Sequence, residues 1–144
     1  MIEIRNVTKI FDGKAVVNNI STSFSEGKTN LIIGRSGSGK TVLLKCILGL
    51  YDPEEGQVVY DGRDFTNMKL AERKMLRREL GMVFQGGALF DSLTVEENIR
   101  FPLDMFTNQS TKEKQSRVDF CLEHVGISNA NQLFPSEISG GMQK

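Results

Sequence analysis

The eight residues from Gly34 to Thr41 constrain the fold of this chain more than any other segment. Their order, Gly-Arg-Ser-Gly-Ser-Gly-Lys-Thr, fits the pattern G-x-x-x-x-G-K-[ST] in full. An apolar run precedes them, Leu31 to Ile33, and a broad apolar helical face follows from Val42 to Leu50. The segment therefore predicts a buried strand, a glycine-rich loop and a helix, the order of elements in α/β nucleotide-binding proteins.

This loop predicts binding of nucleotide phosphates. Glycines let successive backbone N–H groups turn inward around phosphate oxygens, where the start of a helix adds a favourable dipole. Lys40 supplies a positive charge for the β and γ phosphates of ATP, and the Thr41 hydroxyl is a ligand for Mg²⁺. The alternative, a glycine-rich turn with a solvated lysine, is disfavoured by the strand and helix on either side. The predicted nucleotide contacts here are Gly34, Arg35, Ser36, Gly37, Ser38, Gly39, Lys40, Thr41 and Val42.

Composition argues against several other classes of protein. The 144 residues carry 18 basic and 18 acidic side chains, so no net field attracts nucleic acid, and we expect no nucleic-acid partner. No apolar run approaches a membrane span, and the first residues do not resemble a secretory signal, so we expect a cytoplasmic location. Cys46 and Cys121 lack metal-site spacing and are predicted to be buried free thiols, and His124 is predicted to be structural.

Periodicity predicts the remaining elements of the first half. Alternating apolar residues predict two antiparallel strands joined around Asp12-Gly13. The other predicted elements are a strand at Gln57–Tyr60 closed by an Asp61-Gly62 turn, a helix at Lys69–Arg78, and a strand at Gly81–Gln85 with the core Met82-Val83-Phe84. The basic residues of that helix predict a solvated face, with a docking surface for an acidic partner as the alternative; they are Lys69, Arg73, Lys74, Arg77 and Arg78.

The second half is predicted to be helical. Thr94 with Glu97, and Ser110 with Glu113, fit capping boxes that begin helices. An apolar face follows at helical spacing, formed by Val118, Cys121, Leu122 and Val125. We expect a helical subdomain inserted into an α/β core.

Three further segments stand at the order and spacing found in the ABC transporter ATPase family. They are Phe11, Gln85 after Met82-Val83-Phe84, and Ser139-Gly140-Gly141-Met142-Gln143. With the phosphate loop they make the chain resemble that family over its whole length. The resemblance implies an α/β P-loop NTPase fold of the ABC type, with an N-terminal antiparallel part, a parallel-sheet core and a helical subdomain. It divides the chain into an ATP-binding core at 1–85, a Q-loop and helical subdomain at 86–138, and a signature motif at 139–144.

The resemblance also implies roles for single residues. Phe11 would stack on adenine with Val16 lining the same face, the alternative for Phe11 being a core phenylalanine at a strand end. Gln85 would reach Mg²⁺ or the attacking water, the alternative being a polar residue in a turn.

The signature residues would act on a second ATPase subunit. Ser139, Gly140, Gly141, Met142 and Gln143 would face the γ-phosphate held by the opposite subunit of a head-to-tail dimer. An integral membrane permease would complete the transporter and hold the ATPase at the cytoplasmic face of the inner or plasma membrane.

A narrower resemblance concerns cargo. Met142 stands where the family usually has glutamine, and Ile138 where it usually has leucine. With the segments at 84–90 and 98–103, Met142 makes the chain similar to the Mla or Mce-type lipid-trafficking branch, which implies phospholipid or a related lipid as cargo.

The family's catalytic residues have no counterpart in this sequence. An apolar strand ending in Asp-Glu and a later switch histidine follow the signature in the family, so no catalytic residue is assigned here. We expect a fragment that does not hydrolyse ATP alone and that exposes Leu31, Ile32 and Ile33, because the missing strand would cover them. The alternatives are a non-hydrolysing nucleotide-binding module and an ABC ATPase of DNA repair or translation.

Overall fold

The computed structural model describes residues 1–84, 86–127 and 129–144, and it divides into two compact units, 1–81 and 82–144. The first unit contains the elements β1 (Ile2–Phe11), β2 (Lys14–Phe24), α1 (Lys40–Ile47), β3 (Glu55–Tyr60), β4 (Arg63–Asp64) and α2 (Leu70–Arg77). The second contains α3 (Val95–Phe106), α4 (Thr111–His124) and a short 3₁₀ helix at Pro135–Glu137.

The sheet of the first unit has the strand order β2-β1-β3-β4, and each neighbouring pair is antiparallel. Both predicted turns are confirmed. Asp12 and Gly13 have φ of 49° and 76°, and Asp61 and Gly62 have φ of 47° and 76°. Two successive positive φ values are the geometry whose twist matches a tight hairpin, and Asp-Gly adopts it readily.

Helix α1 packs on this sheet and completes the core of the first unit. The buried residues of this core are Ile4, Val7, Val17, Leu43, Cys46, Ile47, Val58, Tyr60, Phe65 and Leu76. The Tyr60 hydroxyl donates a 2.6 Å hydrogen bond to the carbonyl of Ile47, where α1 ends. This bond supplies a donor to a helix-end carbonyl, which has no donor within its own helix.

The basic face predicted on α2 is not simply solvated. Arg77 donates to the carbonyls of Leu48 at 3.3 Å and Gly49 at 2.5 Å, beyond the end of α1. Arg73 donates to the carbonyl of Phe65 at 3.2 Å and pairs with Asp52 at 2.5 Å. These guanidinium groups hold loops in place, because one planar fork can bond several carbonyl oxygens at once.

The strand predicted at Leu31–Ile33 is not formed, and neither is the described part, 81–84, of the strand predicted at Gly81–Gln85, so the described residues contain no parallel sheet. Leu31 and Ile33 are each 81% exposed, and Val83 is 71% exposed. A strand needs a neighbour to bond its backbone N–H and C=O groups, and no described residue pairs with either segment. The expected exposure of Leu31 and Ile33 is confirmed, whereas Ile32 is half-buried and packs against the core.

The second unit is helical, as predicted. Both capping boxes form, with Thr94 accepting from the Glu97 N–H and Ser110 from the Glu113 N–H. Its core consists of Val95, Val118 and Leu122, with Ile99, Ile127 and Ile138 packed around them. Val125 was predicted to share the apolar face, but it is 66% exposed. Helix α4 ends at His124, so Val125 no longer has the helical backbone that would place it on that face. Among the described residues, no helix is both long and apolar enough to cross a bilayer.

Candidate functional site

The loop at 34–39 leads directly into α1 and curls around the side chain of Lys40. The Lys40 Nζ donates 2.8 Å hydrogen bonds to the carbonyls of both Gly34 and Arg35. Lys40 as a whole is half-buried, while residues 34–38 are exposed. An ammonium has three donors, so one further acceptor can bond it without displacing either carbonyl. The loop therefore presents a fixed positive charge beside exposed backbone.

Gly39 can be nothing larger, because the loop touches β2 at this point. A Cβ on Gly39 would lie 2.5 Å from the carbonyl oxygen of Val16, and its φ is +90°. The contact places Val16, predicted to line the nucleotide site, against the phosphate loop. At the loop's other end, a Cβ on Gly34 would lie 2.7 Å from the Ser38 Oγ. The backbone contact and the positive φ thus account for glycine at position 39, whereas at Gly34 rotation of the Ser38 side chain would relieve the contact.

The first turn of α1 begins at Lys40 and continues through Thr41 and Val42. The first N–H groups of a helix have no partner within it, and the helix dipole makes this end positive. Thr41 is exposed, whereas Val42 is half-buried and packs against the core, which fixes the turn. A hydroxyl oxygen suits a hard cation such as Mg²⁺, so the donor set at this end fits a magnesium-bound phosphate chain.

A cavity of about 500 Å³ opens beside this loop. Lys40, Gly39 and Ser38 form its polar side, and Val16 lies in its wall. The remaining lining comes from β2, the apolar segment 31–33 and Leu43. Four of the predicted nucleotide contacts therefore border one space.

Phe11 is the last residue of β1, and its side chain is exposed. Its ring lies 5.3 Å from the ring of Tyr51 in an edge-to-face arrangement. Tyr51 in turn lies under the ammonium of Lys45, a residue of α1, at 5.1 Å. Neither Tyr51 nor Lys45 belongs to a motif, so the sequence alone does not place them near Phe11.

The signature segment lies in the second unit, where it forms one helical turn. The Gln143 N–H donates to the carbonyl of Ser139 at 3.1 Å, and the Met142 N–H donates to the Ser139 Oγ at 3.3 Å. Ser139 thus occupies an N-cap position. The Gln143 side-chain amide donates to the carbonyl of Pro135 at 2.8 Å, which ties the turn to the 3₁₀ helix.

Neither glycine of the signature is required by packing within the described residues. A Cβ on Gly140 would meet no described heavy atom within 4 Å, and on Gly141 only the Ser139 Oγ at 3.9 Å. Neither residue has a positive φ. The contrast with Gly39 is informative, since the chain itself supplies a reason for glycine there. Gln85 lies outside the described residues.

The two cysteines and the single histidine have no described contact with the phosphate loop. Cys46 is 1% exposed, and burial raises the pKa of its thiol, so it stays protonated. Cys121 is a half-buried free thiol rather than a fully buried one. His124 stacks on Phe120 at 5.2 Å with 21° between the ring planes, at the end of α4.

Comparison with known proteins places the chain among ABC transporter proteins. A family model described as ABC transporter matches residues 17–144. The chain is 40% identical to the methionine import ATP-binding protein MetN of Geobacillus kaustophilus, covering all of this chain and 43% of that protein. It is 37% identical to the intermembrane phospholipid transport system ATP-binding protein MlaF of Haemophilus influenzae, again over the whole chain and 54% of the relative. A probable ribonucleotide transport ATP-binding protein, mkl of Mycobacterium leprae, is 36% identical over 99% of this chain and 41% of its own length.

Solved structures agree with the sequence relatives. The ATP-binding cassette MJ0796, in a dimeric post-hydrolysis state bound to ADP and Pi, superposes with a TM-score of 0.85 at 32% identity. The superposition covers 99% of this chain and 65% of that one. A second dimeric structure of MJ0796, described as a bacterial ABC transporter cassette, gives a TM-score of 0.87. The fold is therefore that of an ABC ATPase cassette, and the chain spans about half the length of the curated relatives it matches.

Proposed function

Because this chain belongs to the ABC transporter family, we propose that it binds MgATP at residues 34–42 as part of a transporter's ATP-binding subunit. The observation that carries the proposal is the position of Lys40. Its ammonium is held by two loop carbonyls at 2.8 Å, directly at the N-terminus of α1. A helix start with a fixed cation beside it favours a phosphate chain over a neutral ligand.

Each residue of the loop has its own role in holding ATP. Backbone N–H groups of 34–41 bond phosphate oxygens, Lys40 supplies positive charge to the β and γ phosphates, and Thr41 holds Mg²⁺ together with Gln85. When bound, Mg²⁺ neutralises part of the charge on the β and γ phosphate oxygens. Phe11 stacks on adenine, and its exposed ring at the end of β1 supports that role. Val16 lines the nucleotide site next to Gly39.

We further propose that Ser139, Gly140, Gly141, Met142 and Gln143 contact the ATP of a second subunit in a head-to-tail dimer. The two glycines support this, because nothing described within 3.4 Å demands them. A bare backbone is needed where another molecule's phosphate approaches closely. The relative MJ0796 is described as dimeric.

The whole protein is proposed to hydrolyse ATP, with water attacking the γ-phosphate in line to give ADP and phosphate. Dimer closure would drive an integral membrane permease and place the ATPase at the cytoplasmic face of the membrane. In this scheme 1–85 is the ATP-binding core, 86–138 the Q-loop and helical subdomain, and 139–144 the signature. Phospholipid or a related lipid is the proposed cargo, supported by Met142 and the segments at 84–90 and 98–103, and MlaF, whose name includes phospholipid transport, is 37% identical.

Nucleotide titration of a Lys40→Ala variant tests the core of the proposal. We expect Kd for MgATP, measured by calorimetry, to rise by about ten- to a hundredfold, because a charge-assisted bond contributes about 1.5–3 kcal/mol. The matched control is Lys28→Ala, which removes an exposed ammonium elsewhere in the first unit. Equal Kd values for Lys40→Ala and Lys28→Ala would refute binding at this loop. Binding without release of phosphate by the whole protein would favour the non-hydrolysing module.

The cargo proposal has a separate test. The whole protein, purified with its membrane partner, should carry bound phospholipid and show ATPase activity that rises with added phospholipid. Stimulation by methionine or a ribonucleotide instead would contradict lipid as the cargo.

A further inference from the structure

The end of β1 is bordered by two different neighbours. The pairing of β1 with β3 ends at Thr8 and Glu55, whereas its pairing with β2 continues to Phe11 and Lys14. Beyond Thr8, residues 52–54 take the place of a strand on the open side. The Glu54 N–H donates to the carbonyl of Thr8 at 2.9 Å, which begins this replacement.

The Glu54 carboxylate also bonds this open side of β1, because it accepts from two successive residues, Lys9 and Ile10. One oxygen accepts from the Lys9 Nζ at 2.7 Å, and the other accepts from the backbone N–H of Ile10 at 2.7 Å. The Lys9 hydrogen bond is the largest cause of the lowered pKa of Glu54, so the carboxylate stays charged at neutral pH. Lys9 also donates to the carbonyl of Asp52 at 2.8 Å. The backbone immediately before Phe11 is therefore fixed by a side chain from another segment.

The ring of Phe11 is held by the same group of residues. The Lys9 ammonium lies 5.2 Å from the centre of the Phe11 ring, and the Tyr51 ring lies 5.3 Å away at 71°. The Lys9 side chain is only 13% exposed, so it has little freedom to leave the ring. The backbone of Tyr51 is held by a hydrogen bond from its N–H to the carbonyl of Lys45 at 3.2 Å, and the Lys9 ammonium also lies 5.9 Å from the centre of the Tyr51 ring. Phe11 nevertheless keeps 37% of its surface exposed.

We propose that Glu54, through Lys9 and Tyr51, is a positioning residue that presets the Phe11 ring for stacking on the nucleotide base. The inference rests on the proposed role of Phe11. A ring already held in one orientation loses less rotamer freedom when it stacks, so more of the stacking energy appears as affinity. Without Glu54, the end of β1 loses two hydrogen bonds, and the Lys9 ammonium beside the ring keeps only its bond to the carbonyl of Asp52.

The experiment compares two ligands that share phosphates and differ in the base. Calorimetry on the full chain gives Kd for MgATP and for inorganic triphosphate, and their ratio isolates the contribution of the base. Phe11→Ala should lower the preference for ATP by about tenfold, since a base stacked on an aromatic ring contributes about 1–1.5 kcal/mol. Glu54→Ala should lower it by about threefold, with triphosphate affinity unchanged.

Three further variants sharpen the comparison. Tyr51→Leu should also lower the preference for ATP over triphosphate. Tyr51→Phe keeps the ring and should retain the preference of the parent chain. Glu79→Ala is the matched control, because Glu79 also pairs with a basic side chain, Arg63 at 2.7 Å, but contacts neither Phe11 nor Lys9 in the described structure. It should leave the ratio unchanged.

The outcomes separate the two proposals. An unchanged ratio in Phe11→Ala overturns the stacking role of Phe11 and the positioning proposal with it. A lowered ratio in Phe11→Ala with an unchanged ratio in both Glu54→Ala and Tyr51→Leu overturns positioning alone. Equal losses of affinity for ATP and triphosphate in Glu54→Ala would show a general disturbance of the unit, and would also overturn it.

Discussion

Replacement of Tyr60 by phenylalanine tests how β3 holds the end of α1. Tyr60 is 4% exposed, packs edge-to-face on Phe65 at 5.4 Å, and donates to the carbonyl of Ile47 at 2.6 Å. Phenylalanine keeps the ring contact and removes only the hydroxyl. The carbonyl of Ile47 then lacks this donor at a buried helix end. Loss of one buried hydrogen bond predicts a fall in the free energy of unfolding of about 1–2 kcal/mol near neutral pH.

The same hydroxyl predicts a pH dependence with a definite sign. Burial raises the pKa of Tyr60 from 10.0 to about 12. A raised folded-state pKa means that the hydroxyl's contribution is fully present below about pH 10 and is lost as the pH rises towards about 12. After a discount for partial solvent screening, the loss over this interval is about 2 kcal/mol. The Tyr60→Phe chain has no hydroxyl at this position, so its unfolding free energy should not show this part of the fall at alkaline pH.

Urea unfolding and absorbance titration together provide the assay. The chain has two tyrosines and no tryptophan, so in a Tyr51→Phe background the near-ultraviolet phenolate signal comes from Tyr60 alone. We expect ionisation centred near 12, close to the loss of native structure. A midpoint near 10 in the folded chain, or a Tyr60→Phe chain as stable as its parent, would refute the reasoning, because either result would mean an accessible hydroxyl.

Three other substitutions have defined expectations. Gly39→Ala should weaken MgATP binding by at least about tenfold, because its Cβ would lie 2.5 Å from the carbonyl oxygen of Val16. Gly37→Ala has the same kind of backbone strain, with φ of +76°, but open space around its Cβ, so it controls for strain, and equal losses would contradict the steric argument. Asn98→Asp should lower the unfolding free energy of the second unit by about 1–2 kcal/mol, since the side-chain nitrogen lies 3.0–3.1 Å from three carbonyl oxygens that share its two N–H groups, and a carboxylate has no donor for them; an unchanged urea midpoint would contradict this. Arg77→Lys should lower the thermal midpoint by a few degrees, because an ammonium cannot reproduce the forked contact with the two carbonyls after α1; a midpoint equal to that of the parent would show that charge alone suffices.

The sequence predicted those elements whose chemistry is local. Asp12-Gly13 and Asp61-Gly62 carry the positive φ values of tight hairpins, so both turns were predictable without knowledge of the rest of the fold. The capping residues Thr94 and Ser110 likewise act on N–H groups three residues away. The phosphate loop belongs to the same class, because its glycines and lysine act within a few residues of one another.

The wrong predictions concern segments whose structure depends on distant partners. The run Leu31–Ile33 has the composition of a buried strand, but a strand forms only where a neighbour bonds its backbone, and the described residues provide none. The face of α2 was predicted to be solvated, but Arg77 bonds the carbonyls of Leu48 and Gly49, which come from a different segment. Tyr51 was missed for the same reason, since only the fold brings it to Phe11.

The positions of the two cysteines make each unit separately observable. Cys46 lies in the core of residues 1–81, and Cys121 lies half-buried in residues 82–144. A protonated, buried thiol reacts with an alkylating reagent only when its surroundings open, so the labelling rate of Cys46 measures the opening of the first unit. Cys121 is half-buried, so it should be labelled sooner, and its labelling rate reports on the helical unit. A brief pulse of reagent, read as the mass added at each cysteine, would thus report whether nucleotide slows opening of the first unit alone or of both.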